Sequence, residues 1–300
     1  MLAKHFLTTL SPAKVNLGLS ILNKLPNGYH EVKTIYSQIS LFDELSFILL
    51  DTDDVTLKSN SSEIPKDEKN LVIKVAKLIQ KQLGVNKGVH IKITKNIPIE
   101  SGLGGGSSNA AQTILAVNQL WKLNLTQSEM IELAKTIGAD VAYQLEGGIK
   151  LETQGGKGSG QFENLPNLPK CLIVLCFPGV SISSFLAYEE FDRFKTKEYT
   201  TQANNLAPLI EAIKKQNISL IGRGLFNDFE TLIFKKYPLL KGIKNQMIEY
   251  GAQGALLSGK GSSVFGLFSN KTDAQKTYEK LLKKYPHTYL TTPYEKEEKN

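Results

Sequence analysis

The stretch from Pro98 to Ala111 restricts what this chain can become more than any other; it reads Pro-Ile-Glu-Ser-Gly-Leu-Gly-Gly-Gly-Ser-Ser-Asn-Ala-Ala. Gly102, Gly104, Gly105 and Gly106 bring backbone N–H groups close together with no side chains in the way. Ser107, Ser108 and Asn109 follow at once, and Ala110, Ile114, Val117 and Trp121 then recur at the spacing of one helix face. A glycine loop entering a helix N-terminus is an anion site, because unpaired N–H groups and the helix dipole both point at the ligand. Phosphate is the expected anion. Two familiar phosphate motifs nevertheless fail. The loop lacks the terminal lysine of GxxxxGK[ST]; Gly254 to Lys260 has that spacing, but Gly261 stands where Ser or Thr must hold magnesium. The GxGxxG pattern begun by Gly102 and Gly104 breaks at Ser107. The loop therefore holds phosphate by another geometry.

Three hundred residues with 41% hydrophobic content can bury a large core, and the length predicts two domains. Gly147–Gly148 and Gly155–Gly160, which bracket a short β segment, and the Leu165–Pro169 segment place the boundary so that residues 1–164 and 165–300 form the two parts. The longest apolar runs, Leu45–Leu50 and Cys171–Phe177, fall far short of the roughly 18 residues a membrane span needs, and residues 1–10 hold no secretory apolar region. A soluble, cytoplasmic protein without a membrane partner is expected. Cys171 and Cys176 sit five apart in one apparent strand, so they face opposite ways, too far apart for a disulfide, and read as two buried thiols. The net charge of +7 is that of a chain attracting a polyanion, nucleic acid or nucleotide phosphates, or of a lysine-rich solvated surface. The lysines scatter, however, and no basic run with interleaved aromatics appears, so small molecules rather than nucleic acid are the expected partners.

Along the chain the pattern is α+β. Residues 4–22 read as two extended segments interrupted at Ser11-Pro12, and strands follow over Glu31–Leu50 and Val55–Leu57. Leu71, Val75, Leu78, Ile79 and Leu83 mark a helix ended by Gly84. Val89, Ile91 and Ile93 form one face of a strand, His90 and Lys92 the other. Thr126 with Glu129 makes a capping box for a helix closed near Gly138. Beyond a short β segment come a strand at Cys171–Phe177, helices near Leu206–Lys215, Phe226–Phe234 and Tyr237–Tyr250, a strand–glycine turn–strand, and a last helix near Ala274–Lys284. The charged tail Glu295–Asn300 reads as frayed.

Three segments in order carry a resemblance. Ser11-Pro12-Ala13-Lys14-Val15-Asn16-Leu17, the glycine loop, and Leu257-Ser258-Gly259-Lys260-Gly261-Ser262-Ser263-Val264-Phe265 resemble the three motifs of the GHMP kinases (galactokinase, homoserine kinase, mevalonate kinase, phosphomevalonate kinase). The resemblance spans most of the chain. Asn27-Gly28-Tyr29-His30, Gly138-Ala139-Asp140-Val141 and Pro178-Gly179-Val180-Ser181-Ile182 are similar to the branch acting on a cytidine-diphosphate-linked methylerythritol in the non-mevalonate isoprenoid pathway. It implies the two-domain GHMP kinase fold: a ribosomal protein S5 domain 2-like N-terminal domain, an α/β C-terminal domain, and an active site in the cleft between them. It also implies ATP as phosphoryl donor, Mg2+ as the accompanying ion, and a monomer or homodimer. The reaction implied is phosphorylation of the substrate's 2-hydroxyl, giving the 2-phosphate and ADP.

Phosphoryl transfer to an alcohol needs a phosphate cradle, neutralised charge and a proton acceptor. The cradle implied is Pro98, Ile99, Glu100, Ser101, Gly102, Leu103, Gly104, Gly105, Gly106, Ser107 and Ser108, with Ser108 as a magnesium ligand by analogy. The motif assigns Asp140 as base, since a carboxylate is ionised at neutral pH, and Lys14 as the cation beside it. Taken alone, Lys14 reads better as an exposed strand lysine and Asp140 as a turn residue after Gly138; their register in the motifs reverses both. For the substrate, the resemblance puts Tyr29 and Tyr188 on the two faces of the cytosine, His30 on its edge, and Asn16 at the methylerythritol end. The alternative reading of Tyr188 is a residue that simply packs a helix on the core, and stacking is the preferred one. Lys260 and Ser262-Ser263 depart from the third motif, where many members carry a small residue and a proline; Lys260 is open between a phosphate contact and a rim position. Asn227-Asp228-Phe229-Glu230 reads as structural.

Overall fold

Long alternating runs of apolar and polar residues build the first two strands of the computed structural model, which describes residues 5–26, 28, 30–155, 161–198 and 206–295. β1 (Phe6–Lys24) and β2 (His30–Leu50) pair antiparallel along nearly their whole length. The expected interruption at Ser11-Pro12 is instead a register slip between Pro12 and Ala13 inside one continuous strand. Proline has no N–H for a ladder, and a bulge absorbs it without ending the strand.

β3 (Val55–Ser59), α1 (Leu71–Leu83), β4 (Gly88–Thr94) and α2 (Gly105–Leu120) follow. Gly84 closes α1 in the left-handed conformation, at φ 63°. Val89, Ile91 and Ile93 are buried while His90 and Lys92 are not, as the alternation requires. α3 (Gln127–Ile137) carries the capping box of Thr126 and Glu129. It closes at Gly138, but a further helix that the sequence did not announce, α4 (Ala139–Glu146), starts on the same glycine. β5 (Ile149–Gly155) and β6 (Phe162–Leu165) complete the first half.

The second half contains β7 (Leu172–Phe177), α5 (Ser184–Glu198), α6 (Ala207–Lys214), α7 (Ile218–Gly224), β8 (Phe226–Asn227), α8 (Phe229–Lys236) and α9 (Pro238–Glu249). It ends with β9 (Gly254–Leu257), β10 (Val264–Phe268), α10 (Lys271–Leu282) and β11 (His287–Thr291). α5, α7 and β11 were not expected. The helix expected over Phe226–Phe234 starts only at Phe229, because Phe226 and Asn227 pair in parallel with Gly18 and Leu19 of β1. Most of the loose Gly155–Gly160 segment and of the tail Glu295–Asn300 lies outside the described residues.

Two sheets result. The first runs β3-β4-β2-β1-β8, with β5 on β2 and β6 on β5; the second runs β11-β7-β10-β9. Helices α1 to α4 cover Leu45, Phe47, Val89, Ile91 and Ile93 on one side of the first sheet. Ala13, Val15, Leu17, Ile35 and Leu151 instead share a single apolar cluster with Ile173, Leu175, Phe265 and Leu267 of the second sheet. The other face of that sheet, with Val174, Val264 and Phe268, is packed by Phe191 of α5, Phe229 of α8, Met247 of α9 and Leu281 of α10. Cys171 and Cys176 are free and buried, and burial pushes their thiols up to about 11 and about 12. Among the described residues no helix is long and apolar enough to cross a membrane.

Candidate active site

Strand alternation turns Lys14 and Asn16 away from Ala13, Val15 and Leu17 and onto the opposite face of β1. The register pairs Lys14 with Gln38, Asn16 with Tyr36, and Thr34 with Glu152 of β5. Six buried polar side chains therefore gather on one sheet face, where each needs a partner. Lys14 Nζ donates to Asn16 Oδ1 at 2.7 Å, Asn16 Nδ2 to Thr34 Oγ1 at 2.8 Å, and Thr34 Oγ1 to the Gly18 carbonyl at 2.7 Å. Gln38 Nε2 donates to Gln144 Oε1 of α4 at 2.6 Å. This chain of bonds points the lysine ammonium at one place.

That place is Asp140. Gly138 ends α3 and caps α4, so Asp140 falls in the first turn of α4, where the helix dipole favours a carboxylate. Its Oδ2 lies 3.6 Å from Lys14 Nζ; the Lys14 side chain is 6% exposed and that of Asp140 37%, so the carboxylate is reachable and the lysine stands behind it. Lys14 Nζ also lies 5.3 Å from the Tyr36 ring centroid, and Tyr36 stacks on Tyr143 at 4.3 Å. The Tyr36 hydroxyl is 3.1 Å from Asp140 Oδ1 and 2.8 Å from Glu152 Oε2. Glu152 is fully buried, and that burial pushes its carboxyl up to about 7; the Tyr36 hydrogen bond opposes the shift, the Asp140 charge adds to it and the Lys14 charge opposes it. Tyr36, Glu152, Thr34, Gln38 and Gln144 were missed in the sequence, although the i, i+2 spacing from Thr34 to Gln38 is a signal for one shared face.

The glycine loop closes over the lysine. Gly104 caps α2 at φ 66° with no side-chain hydrogen bond to the first turn, and a Cβ there would sit 2.9 Å from Lys14 Cγ. A Cβ on Gly106 would meet nothing within 4 Å, so the first turn of α2 opens onto space. Ser108 is fully buried, and its Oγ accepts a hydrogen bond from Ser11 Oγ at 2.7 Å. Asn109 Nδ2 donates to Ser11 Oγ and to Asp43 Oδ2, and the Lys95 ammonium, which a Gly105 Cβ would approach to 3.1 Å, pairs with the buried Asp43. Lys95 is absent from the residues the motifs point to; its place directly after β4 and before the loop is the one signal for it in the sequence.

The three motifs clasp one another through their backbones. Lys14 N donates to the Leu103 carbonyl at 2.9 Å, Ser263 N to Ser101 at 3.1 Å, and Ser258 Oγ to Gly102 at 3.1 Å. Asn227 Nδ2 holds the Leu257 and Gly259 carbonyls, Asp228 accepts from Ile21 N, and Glu230 accepts from Leu257 N, which gives Asn227–Glu230 its structural role. Lys260 reaches the Ile182 carbonyl and, at 3.4 Å, that of Glu100. Burial pushes its ammonium down to about 8, with Lys14 lowering it further and Glu100 opposing. Pro98, Ile99, Glu100 and Ser107 line the same loop, Glu100 at φ 53°.

At the far end of β1 and β2, His30 stacks on Tyr188 of α5 at 4.9 Å and 15°, and its Nε2 lies 2.5 Å from Asp192 Oδ1. Tyr188 also meets Phe229 edge-on at 5.0 Å. Tyr29 lies outside the described residues. Asn16 lies between Lys14 and Thr34, its Oδ1 accepting from the first and its Nδ2 donating to the second, which leaves one N–H and one lone pair of the amide for a ligand.

A buried lysine behind a reachable carboxylate, beneath a glycine loop that opens a helix, defines a small-molecule phosphotransferase. Family models for the GHMP kinases N terminal domain and the GHMP kinases C terminal match residues 70–149 and 209–287. The chain is 38% identical over 271 residues to the 4-diphosphocytidyl-2-C-methyl-D-erythritol kinase of Bacillus pumilus, covering 90% of this chain and 91% of the relative. It superposes on a crystal structure of 4-(cytidine 5'-diphospho)-2C-methyl-D-erythritol kinase with a TM-score of 0.78 and 30% identity, covering 96% and 100% of the two chains. A homoserine kinase from Cytophaga hutchinsonii, at TM-score 0.76 and 23% identity over 97% and 96%, shares the fold. The chain belongs to the GHMP kinases, in the branch of the 4-diphosphocytidyl-2-C-methyl-D-erythritol kinases.

Proposed function

We propose that the chain transfers the γ-phosphoryl group of ATP to the 2-hydroxyl of 4-diphosphocytidyl-2-C-methyl-D-erythritol, releasing the 2-phosphate and ADP in the non-mevalonate isoprenoid pathway. The observation that carries the reading is the Lys14–Asp140 pair, 3.6 Å apart, at the foot of the glycine loop. Asp140 accepts the proton of the attacking hydroxyl as the new O–P bond forms and the bond to the β-phosphate oxygen breaks. Lys14 offsets charge on the transferring group, and the loop from Pro98 to Ser108 cradles the phosphates with backbone N–H groups. Mg2+ comes with ATP and offsets phosphate charge. Among the described residues no three His, Cys, Asp or Glu side chains converge, which suits an ion held mainly by phosphate oxygens. Ser108 fits as its ligand only by exchanging its Ser11 partner. The cytosine binds between Tyr29 and Tyr188, which requires it to part His30 from Tyr188 or take the other ring face. Asn16 orients the polyol end. The reaction is cytoplasmic and run by a monomer or homodimer.

The test is ADP release from Mg-ATP with the cytidylyl substrate, homoserine and mevalonate in parallel. Turnover is expected only with the first. Asp140→Asn should lower kcat by roughly 10²–10⁴-fold while ATP still binds. Turnover on mevalonate or homoserine instead would overturn the substrate, and full activity in Asp140→Asn the base.

A further inference from the structure

Glu152 is used by no step above, yet it is fully buried two bonds from the base. Its location follows from the ladder. Thr34 faces Glu152 and Tyr36 faces Lys150, so Tyr36 and Glu152 are diagonal neighbours on one sheet face, aimed at α4. Tyr36 then stands between two carboxyl groups, 2.8 Å from Glu152 Oε2 and 3.1 Å from Asp140 Oδ1, with one hydroxyl proton to give.

With both carboxyls ionised, two acceptors compete for that proton and one goes without. Glu152 would fare worst, because its Oε1 has no hydrogen-bond partner among the described residues. A fully buried carboxylate with a bare oxygen is costly. One added proton closes the count: Glu152 Oε2–H donates to the Tyr36 oxygen, and Tyr36 O–H donates to Asp140 Oδ1. The unpartnered Oε1 is then a neutral carbonyl oxygen, which costs far less.

We propose that Glu152 is a positioning residue for the base: in its protonated form it turns the Tyr36 hydroxyl toward Asp140 and fixes the carboxylate that receives the substrate's proton. This deepens the kinase reading and rests on it for the role of Asp140. The groups that act on Glu152 are Tyr36 from β2, Lys14 from β1, Asp140 from α4 and Tyr188 from α5. Burial, the largest influence, pushes its carboxyl up to about 7, so the arrangement changes within the working pH range. Above that value Glu152 releases its proton to solvent. The Tyr36 proton then changes acceptor, from Asp140 to Glu152, and Asp140 loses its donor.

Difference infrared spectroscopy of the whole protein, from about pH 5.5 to about pH 8.5, reads Glu152 without substrate, and kcat is followed over the same range. A protonated-carboxyl carbonyl band should disappear with a midpoint near 7 and be missing in Glu152→Gln. Wild-type kcat should fall roughly 3–10-fold across that midpoint, with the KM for ATP unchanged. Glu152→Gln should hold the low-pH rate throughout, because its amide N–H donates to Tyr36 permanently. Tyr36→Phe should keep the band and abolish the step, which preserves the test should Glu152→Gln fail to fold. No titrating band, or the same kcat step in Glu152→Gln or in Tyr36→Phe, overturns the proposal. A normal band with no turnover on any alcohol sinks the kinase reading alone.

Discussion

Single glycines and a single lysine decide how the three motifs meet. Gly102 sits at φ 82°, and a Cβ on it would lie 2.2 Å from the Ser258 carbonyl oxygen, a backbone atom that cannot swing aside. Gly102→Ala must therefore adopt a left-handed backbone and also push the two glycine loops apart. A loss of about 2–3 kcal/mol is expected in denaturant titration, together with a rise in the KM for ATP. Unchanged stability would mean that the loops are not clasped here. Lys260 acts at the same scale. The sequence left it between a phosphate contact and a rim position, but its ammonium ties the Glu100 and Ile182 carbonyls, joining the phosphate loop to the segment before α5. Lys260→Met should raise the KM of both substrates roughly tenfold, the scale of a charged hydrogen bond, with a smaller change in kcat. A KM effect confined to ATP would instead favour direct phosphate contact.

Elements set where the chemistry stands and what it costs. α4 begins on the glycine that ends α3, and this places Asp140 over the polar face of β1, β2 and β5. Helix periodicity over eight residues is too short to announce such an element, and its capping glycine is a stop signal as readily as a start. The pairing of β5 with β2 buries Glu152, and stability records it. Between its ordinary 4.5 and about 7 the folded chain holds a proton that the unfolded chain has released. Stability should fall as pH rises through that window and level off above it, a change on the order of 3 kcal/mol. Denaturant titrations at several pH values check this, with Glu152→Gln as the comparison. A wild-type slope equal to that of Glu152→Gln would show that Glu152 does not titrate this way.

The whole molecule is one packed object made of two halves. We propose the boundary at residues 1–164 and 165–300, which β6 of the first sheet overruns by its last residue, Leu165, before β7 opens the second sheet at Leu172. The halves are not independent, however. Ala13, Val15 and Leu17 share an apolar cluster with Ile173, Leu175 and Phe265, and β8 returns from the second half to pair with β1. Residues 1–164 expressed alone should lack a cooperative thermal transition and bind a dye for exposed apolar surface, because truncation bares that cluster. A sharp transition in the isolated half would show that it folds by itself.

Local signals were strong where one segment decides its own structure. The glycine loop and its helix, the Gly84 stop, the Thr126–Glu129 capping box and the alternation at Val89–Ile93 were all legible, because caps, turns and periodicity act within a few residues. The motifs likewise carried the family, and with it the two-domain fold. Lys14 shows the limit: alone it reads as an exposed strand lysine, yet it is buried because α4 and the glycine loop cover it from elsewhere in the chain. β8 and the Pro12 bulge depend on partners that local sequence does not contain. The sequence by itself determined the strongly capped or periodic elements, the motifs and the class of chemistry. Tertiary structure alone decided that Tyr36 bridges Asp140 and Glu152 and that Lys260 is a clasp, because register and packing bring together groups more than a hundred residues apart, and only burial makes their protons count.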